Sequence, residues 1–585
     1  MPSTTINQFV IRLLLGVLQV GLGEKAAAQS VGQPLALNKP VGRSLRPDES
    51  HTYTLVLQRK QVMTIRLTRQ GADATIRVMD SSGRSVSRRN VTMGEYDEEL
   101  SLFQAPHAGR YSVIVRSAQR NAPTGHYTVE LSELLSGKAY AAQLAETRRK
   151  QTAVIGCLKA RAMPLATLSV DRNRTDLAPL KDVLRDVKLI GLGEETHGTH
   201  EFFTVKHRLL DFMVRDMGVR VFIVEGSYAG WQSINDYVTG RTDDGEKALA
   251  EQGFWAWNTG EMKALIDWAR QYNKTVPATE QLRFAGIDPQ YNQPGKDKLL
   301  AYLKRVAPER VAPTEALFAR NLDSLQSVRS ETGEQDSLKQ VQASYHELYA
   351  FLEQSYKLDT AWLDRLKRPE ITSPNEHERM LDYARILTQY VSTYGQADTA
   401  GVATRDVFMA ENCRRLIERE PAGTRFVIWG HNGHVATGGN SLFKPLGAYL
   451  REYYGNAYYA LGLSFNKGSF LAREVPAVDS ARQWLKAFTV SSAPEQSVDW
   501  YLAQTRLKNF VVDFRAAPQN VDSRNWLTDP IPMRSVGSVY RPGFAPAYFY
   551  SMRLAARFDG LLFVDTTTWA HPNPSVKDVD RLGSN

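Results

Sequence analysis

The sequence predicts two unlike parts: an all-β sandwich, then an α/β domain on a largely parallel sheet, enlarged by a helical insertion. Three observations predict them. Short period-two segments recur across residues 33–134. After residue 180, buried strand-like runs alternate with amphipathic helices. Between them in the second part, about 295–420, lies a charged, helical stretch poor in strands. A chain of 585 residues would by length alone suggest about four domains, so these patterns merge the count.

Composition narrows the class without choosing a partner. Apolar residues are 43% and charged residues 23%, the balance of a folded globular chain. No apolar run reaches the roughly 18 residues of a membrane helix, so no integral span is expected after removal of the leader at 1–28. The 72 basic and 63 acidic residues leave a net charge of +9. These charges are scattered rather than clustered, so no nucleic-acid partner is expected. Cys157 and Cys413 exclude a disulfide scaffold and any Cys-rich metal centre. They are expected as two separate thiols. The oligomeric state is left open.

Residues 1–28 have the order of a secretory signal peptide. Arg12 precedes the apolar Leu13–Gly23, and Ala26-Ala-Ala28 supplies small residues for cleavage. The chain is therefore expected to be exported, to a periplasmic or extracellular site. No cysteine follows the apolar stretch to take a lipid.

The β-sandwich is read over 33–134. Its strands are Tyr53-Thr-Leu-Val-Leu57, Val62-Met-Thr-Ile-Arg-Leu67, Ala74-Thr-Ile-Arg-Val78, Tyr111-Ser-Val-Ile-Val115 and Tyr127-Thr-Val-Glu-Leu131. Turn signals at Ser82-Gly83, Ala108-Gly109 and Pro123-Thr-Gly125 separate them, as in all-β domains. With its Gly109-Arg-Tyr-Ser-Val and Gly125-His-Tyr-Thr-Val endings, the region resembles the pre-peptidase C-terminal type of β-sandwich. That resemblance implies an accessory role. A helical connector follows over 135–180.

The α/β domain is read over 181–575. Val187–Leu192 is a buried strand, and Thr199–Met217 is a helix with Phe202, Val205, Leu209 and Met213 on one face. Gly218 ends that helix, and Val219–Val224 is the next strand, completing a βαβ unit. Further strands are Leu282–Ile287, Arg425–Trp429, Tyr458–Leu463, Asn509–Val512 and Leu561–Val564.

The strand ends carry the chemistry. The first runs into Gly193-Glu194-Glu195-Thr196-His197, the second into Glu225, the third into Asp288, and the fourth into His431-Asn432-Gly433-His434. The Asn509 strand ends at Asp513 and Arg515, and the last at Asp565. Ligands of open α/β sheets bind outside the carboxyl ends of the strands. One carboxylate there often only caps the next helix; successive exits bearing Glu, His, Glu, Asp, His and His form a constellation. His200 and His207 fall on the following helix and read as structural or surface residues.

Several mechanisms drop out. There is no Gly-x-Ser-x-Gly elbow, and neither cysteine lies at a strand exit. Histidine beside carboxylates is left, which suits general-base activation of water. A zinc alternative would draw on His197, His431 and His434 with a carboxylate. No His-Glu-x-x-His motif supports it, so a divalent metal is not favoured and no cofactor is expected.

These residues resemble the erythromycin esterase family. The resemblance rests on Gly193-Glu-Glu-Thr-His-Gly-Thr-His-Glu-Phe-Phe203, Lys206-His-Arg-Leu-Leu210 and Val221-Phe-Ile-Val-Glu225. It continues through Trp255-Ala-Trp-Asn-Thr259, Phe284-Ala-Gly-Ile-Asp288, Met409-Ala-Glu-Asn412, Trp429-Gly-His-Asn-Gly-His434 and Phe558-Asp-Gly-Leu-Leu562. It implies a hydrolase that opens a small-molecule ester, in this family a macrolactone, with activated water. It further implies His197 as general base, Glu194 and Glu225 in the same site, and His431 and His434 toward the substrate or tetrahedral intermediate. Family members commonly carry arginine nine residues after the base; here that position is Lys206, which keeps the charge without the planar fork. Trp255, Trp257, Asp288 and Asn432 are expected to contact substrate. The alternatives are a metal-dependent hydrolase on the same scaffold and a non-catalytic envelope protein that binds a ligand.

Overall fold

The computed structural model describes residues 32–579 apart from 71–73, 87–89, 94–97, 118–123, 171–172, 321–333, 359–375, 394–397, 440–442, 476–482, 517–519 and 543–544. The signal-peptide reading at 1–28 lies outside the described residues.

Alternation of side chains builds the first region. Along Ser50–Leu57, every second residue from His51 to Leu57 is buried. The same holds for Gly109–Ser117 and Gly125–Leu135 through their central residues. Four strands form one sheet, in the order Gln33–Pro34, Ser50–Leu57, Gly109–Ser117, Ala74–Met79. Five form another: Val41–Leu45, Gly125–Leu135, Val62–Gln70, Glu98–Gln104, Asn90–Met93. Their inward residues, among them Tyr53, Leu57, Ile65, Leu67, Val113 and Val129, make one apolar cluster. Within it the hydroxyls of Tyr53 and Tyr127 hydrogen-bond at 2.5 Å, and Tyr127 also meets His51 Nδ1 at 2.7 Å. This satisfies polar groups that burial would otherwise penalise.

Gly125–Leu135 passes directly into the helix Gly137–Arg161, whose first turn is capped by Ser136 accepting the Ala139 N–H. Val154 and Leu158 of that helix join a core cluster of the following sheet. The connector helix is thus packed on the second part's sheet.

The second part is a mixed α/β unit around a ten-stranded sheet. Its main order is Met163–Pro164, Asn509–Asp513, Gly560–Thr567, Tyr458–Glu474, Leu189–Leu192, Arg425–Trp429, Val219–Ser227, Arg283–Asp288. Leu485–Val490 and Val539–Tyr540 pair with Tyr458–Glu474. From Gly560–Thr567 to Arg283–Asp288, neighbours run parallel. Leu189–Leu192 is buried throughout, as a strand covered on both faces must be. The helix His200–Met217 closes with Gly218 at φ 74°, a left-handed C-cap that glycine takes without steric cost.

Sequence neighbours are not spatial neighbours here. Leu189–Leu192 and Val219–Ser227 do not pair with each other; Arg425–Trp429 lies between them, in register with both. The chain leaves after Asp288 and returns only after the helices Gln293–Val306, Val311–Phe318, Glu334–Leu358, Glu376–Ser392 and Asp398–Glu418. Most of these helices share a core of their own, including Leu299, Tyr302, Tyr345, Leu352, Tyr383 and Leu387. The last one instead packs Met409, Ala410, Cys413 and Ile417 against the sheet.

One expectation is corrected. Asn509–Asp513 runs antiparallel to the last strand, so Asp513 pairs with Gly560 at that strand's start. Asp513 and Arg515 therefore sit at the opposite edge of the sheet from Glu194, where Arg515 binds Asp559. Cys157 and Cys413 are both free thiols, as expected. No helix among the described residues is long and apolar enough to cross a membrane.

Candidate active site

Three parallel strands end side by side, and their exits supply the site. Gly193, just past Leu189–Leu192, permits a close approach: a Cβ there would stand 2.1 Å from Asn432 Oδ1. Asn432 is a latch between strands. Its amide donates to Leu463 O at 2.7 Å, its Oδ1 accepts the Leu463 N–H at 3.0 Å, and its own N–H reaches Glu194 O at 2.8 Å. It is buried and spent on backbone, so the expected substrate contact is replaced by a positioning role.

Glu194 is fully buried and holds three donors. Oε1 pairs with His197 Nδ1 at 2.7 Å, while Oε2 takes Lys206 Nζ at 2.7 Å and Trp429 Nε1 at 2.6 Å. Burial would raise this carboxyl's pKa, but Lys206 and His197 outweigh it and hold the pKa below the usual value. With Nδ1 engaged, His197 Nε2 is the nitrogen left for chemistry. The ring keeps 14% of its side-chain surface exposed. It stands edge-on to Trp257 at 6.3 Å and 5.4 Å from the His431 ring.

Lys206 projects from the helix His200–Met217 with no exposed side-chain surface. Its ammonium lies 4.1 Å from the Trp429 ring centroid, a cation–π contact strengthened by the absence of water. Burial lowers its pKa to about 8, against the opposing pull of Glu194. Lys206 acts through Glu194 and is a positioning residue.

Glu225 anchors a second network. Oε2 accepts the His431 N–H at 2.7 Å, and Oε1 meets Arg405 Nη2 at 2.8 Å and His434 Nε2 at 3.2 Å. Burial opposes ionisation, but His434 and Arg405 hold Glu225 well below the usual carboxylate range. Arg405 also forks onto Asp288, at 3.1 and 2.6 Å. Asp288 is thereby a clamp for Arg405 rather than a substrate contact.

The two further histidines differ in charge. His434 Nδ1 faces both Asp406 oxygens, at 2.9 and 3.0 Å. Burial would lower its pKa, but Asp406 and Glu225 overcome that and raise it to about 10. Arg405 Nη1 also stands 3.1 Å from Nε2; a protonated ring cannot accept from it, so Glu225 is the partner of Nε2. His431 is the reverse: burial, then repulsion from His197 and His434, lower its pKa to about 3. Its Nδ1 accepts the Gly433 N–H at 3.1 Å, which leaves the proton on Nε2, 3.3 Å from Glu195 O.

The structure thus unites Glu194, His197, Lys206, Glu225, His431 and His434, with Asp288 joined through Arg405. Trp257 lies beneath them, 2% exposed, donating Nε1 to Glu225 O at 3.0 Å. Trp255 packs toward Leu471, Leu485 and Val576. Trp257 is consumed as a brace, and the half-buried Trp255 joins a separate cluster. Arg405, Asp406 and the Trp429 indole are members that sequence reading missed. Arg405 and Asp406 lie on a helix rather than a strand exit; the one signal was the Met409-Ala-Glu-Asn412 motif a turn later. Among the described residues, the group that brings three metal-ligating atoms within 4.8 Å of one another is His200, Glu261 and His571, beside this site rather than in it.

Residues 214–567 match the sequence profile of the family described as erythromycin esterase, over more than half of the chain. This chain belongs to the erythromycin esterase family. It is therefore an ester hydrolase by family. The match spans Glu225, Arg405, His431 and His434 and begins after the Glu194–Lys206 segment. Over 397 residues the chain is 26% identical to erythromycin esterase type II of Escherichia coli, covering 63% of this chain and 90% of that relative. A solved structure of a Bacillus cereus protein superposes with a TM-score of 0.60 at 23% identity, over 72% of this chain and 99% of its own. An erythromycin esterase mutant, EreC in its open conformation, gives a TM-score of 0.51 at 14% identity, over 68% and 95%. Both structural likenesses bear on the fold of this erythromycin esterase family member.

Proposed function

We propose that the chain hydrolyses an ester, in the first instance a macrolactone of the erythromycin type, with water activated by His197. One observation carries this reading: Glu194 engages His197 Nδ1 at 2.7 Å, and Nε2 has no hydrogen-bond partner among the described residues. Water held at Nε2 gives up its proton as its oxygen attacks the ester carbonyl carbon. The carbonyl π pair moves to oxygen, and the imidazolium is stabilised by the Glu194 carboxylate. His431, neutral with its Nε2–H held 3.3 Å from Glu195 O, is the donor proposed for the oxyanion, reached by turning from that carbonyl. Collapse of the tetrahedral intermediate breaks the bond to the alkoxy oxygen, which takes the proton from His197. The products are a carboxylic acid and an alcohol, joined in one opened chain where the substrate is a lactone.

The test is mass spectrometry after incubation with erythromycin and with simple esters and lactones. The reading expects a product heavier by one water, absent with His197→Ala. Turnover by that variant at the wild-type rate would overturn it. Chelation before the assay separates it from metal-dependent hydrolysis, which would lose activity on chelation and regain it with metal. We also propose export, supported by the leader pattern at 1–28; amino-terminal sequencing of the mature protein from cell fractions tests it. Export places hydrolysis before uptake of a drug, or directs it at an envelope ester.

A further inference from the structure

A second cluster of histidine and carboxylate lies on the far side of the loop that carries His197. His200 opens the helix His200–Met217, and Glu261 sits in the first turn of the helix Gly260–Asn273, capped by Thr259. His571 follows the last strand, Gly560–Thr567. Three distant parts of the sequence therefore meet. His200 Nδ1 and His571 Nδ1 each lie 2.7 Å from the same oxygen, Glu261 Oε1. The two rings stand at 85° with centroids 5.6 Å apart, so they converge by their nitrogens and do not stack.

We infer that His200, Glu261 and His571 form a divalent transition-metal site of the zinc class, which clips the C-terminal segment to the base-bearing loop. Two imidazoles and one carboxylate are a borderline-soft donor set suited to zinc, and poor for calcium or magnesium, which take oxygen. The ligand atoms all lie within 4.8 Å of one another. Tetrahedral bonds of about 2.1 Å separate ligand atoms by roughly 3.4 Å, so the 2.7 Å pairs need open by under about 1 Å. The side chains can give: His571 is 63% exposed and His200 35%, while Glu261 is 6% exposed and fixed. The His571 backbone N–H donates to both Glu261 oxygens, Oε1 at 3.2 Å and Oε2 at 3.1 Å, and so orients the carboxylate. The exposed side leaves room for water as the fourth ligand.

The position gives the site a purpose. The segment after Thr567 already straps this loop: Ala570 N–H donates to Gly198 O at 2.9 Å, and His200 N–H to Thr568 O at 3.0 Å. Glu201 takes the Thr568 N–H and hydroxyl at 2.7 and 2.8 Å. A metal on His200 and His571 would tie that strap to the loop three residues from His197. None of the three ligands touches Glu194, Glu225, His431 or His434 among the described contacts.

The experiment titrates zinc into chelator-stripped protein by calorimetry, with cobalt absorption as a second probe, and follows Tm. Wild type is expected to take up one equivalent and to gain Tm on loading. His571→Ala, a change at an exposed side chain, is expected to weaken uptake at least about tenfold and to abolish the Tm gain. His431→Asn is expected to keep both, since it lies in the other cluster. Absence of stoichiometric uptake, uptake unchanged in His571→Ala, or uptake lost in His431→Asn would each overturn the assignment.

Discussion

Glu194 Oε1 lies 2.7 Å from His197 Nδ1, so a buried carboxylate decides which imidazole nitrogen is left free for the proposed water. Glu194→Gln keeps an acceptor for Nδ1–H and removes the charge that stabilises the imidazolium. Its kcat is expected to fall by about 10²–10⁴ with KM little changed, the range of a general-base contribution. Steady-state kinetics on whichever ester is turned over decides it; a kcat within twofold of wild type would refute the role.

Lys206 makes that carboxylate sensitive to alkali. Its pKa is lowered to about 8, so above that pH the ammonium beside Glu194 is lost. An alkaline limb near pH 8 in kcat/KM is expected for wild type. Lys206→Arg, charged throughout this range, is expected to erase that limb, and Lys206→Met to lose activity at every pH. The linkage sign is the reverse of the usual lysine. The unfolded chain holds this proton more tightly between about pH 8 and 10.5, so this residue's contribution to stability rises with pH across that window.

Strand exits were legible because Leu189–Leu192, Val219–Ser227 and Arg425–Trp429 each carry an ionisable residue within two positions of their ends, and apolar runs mark where strands stop. Their order was not. That Arg425–Trp429 lies between the other two depends on how the long helical excursion docks, which no local pattern records. Arg405 and Asp406 were hidden for the same reason: on a charged helix such a pair reads as solvated surface, and only docking turns it inward. Aromatic residues misled in the other direction. Trp257 has the composition of a pocket wall, but its indole N–H found a backbone carbonyl and its faces found Trp231, Trp429 and Phe203.

Arg405 joins Glu225 to Asp288, whose side chains are 6% and 1% exposed. Removing it strands two buried carboxylates. Arg405→Ala is expected to cost about 3–5 kcal/mol, as breaking buried pairs does, with Arg405→Lys intermediate. Urea unfolding measures both. A loss below 1 kcal/mol would mean that water replaces the guanidinium at little expense.

His434 supplies a pH signature that can be isolated by difference. Its pKa is raised to about 10 by Asp406 and Glu225, so its stabilising contribution is complete below the unfolded histidine value of about 6.5 and is lost as pH climbs to about 10. Asp406→Asn retains an oxygen for the Leu446 N–H, which Asp406 Oδ1 now accepts at 2.7 Å, but removes the charge facing Nδ1. The variant is expected to show a lower His434 pKa by nitrogen-15 NMR. Its deficit in unfolding free energy against wild type is expected to be largest near pH 6.5 and to shrink toward pH 10. Lys206 is common to both proteins and cancels in that difference. A deficit that stayed constant across the window would assign Asp406 to packing and detach it from the charge of His434.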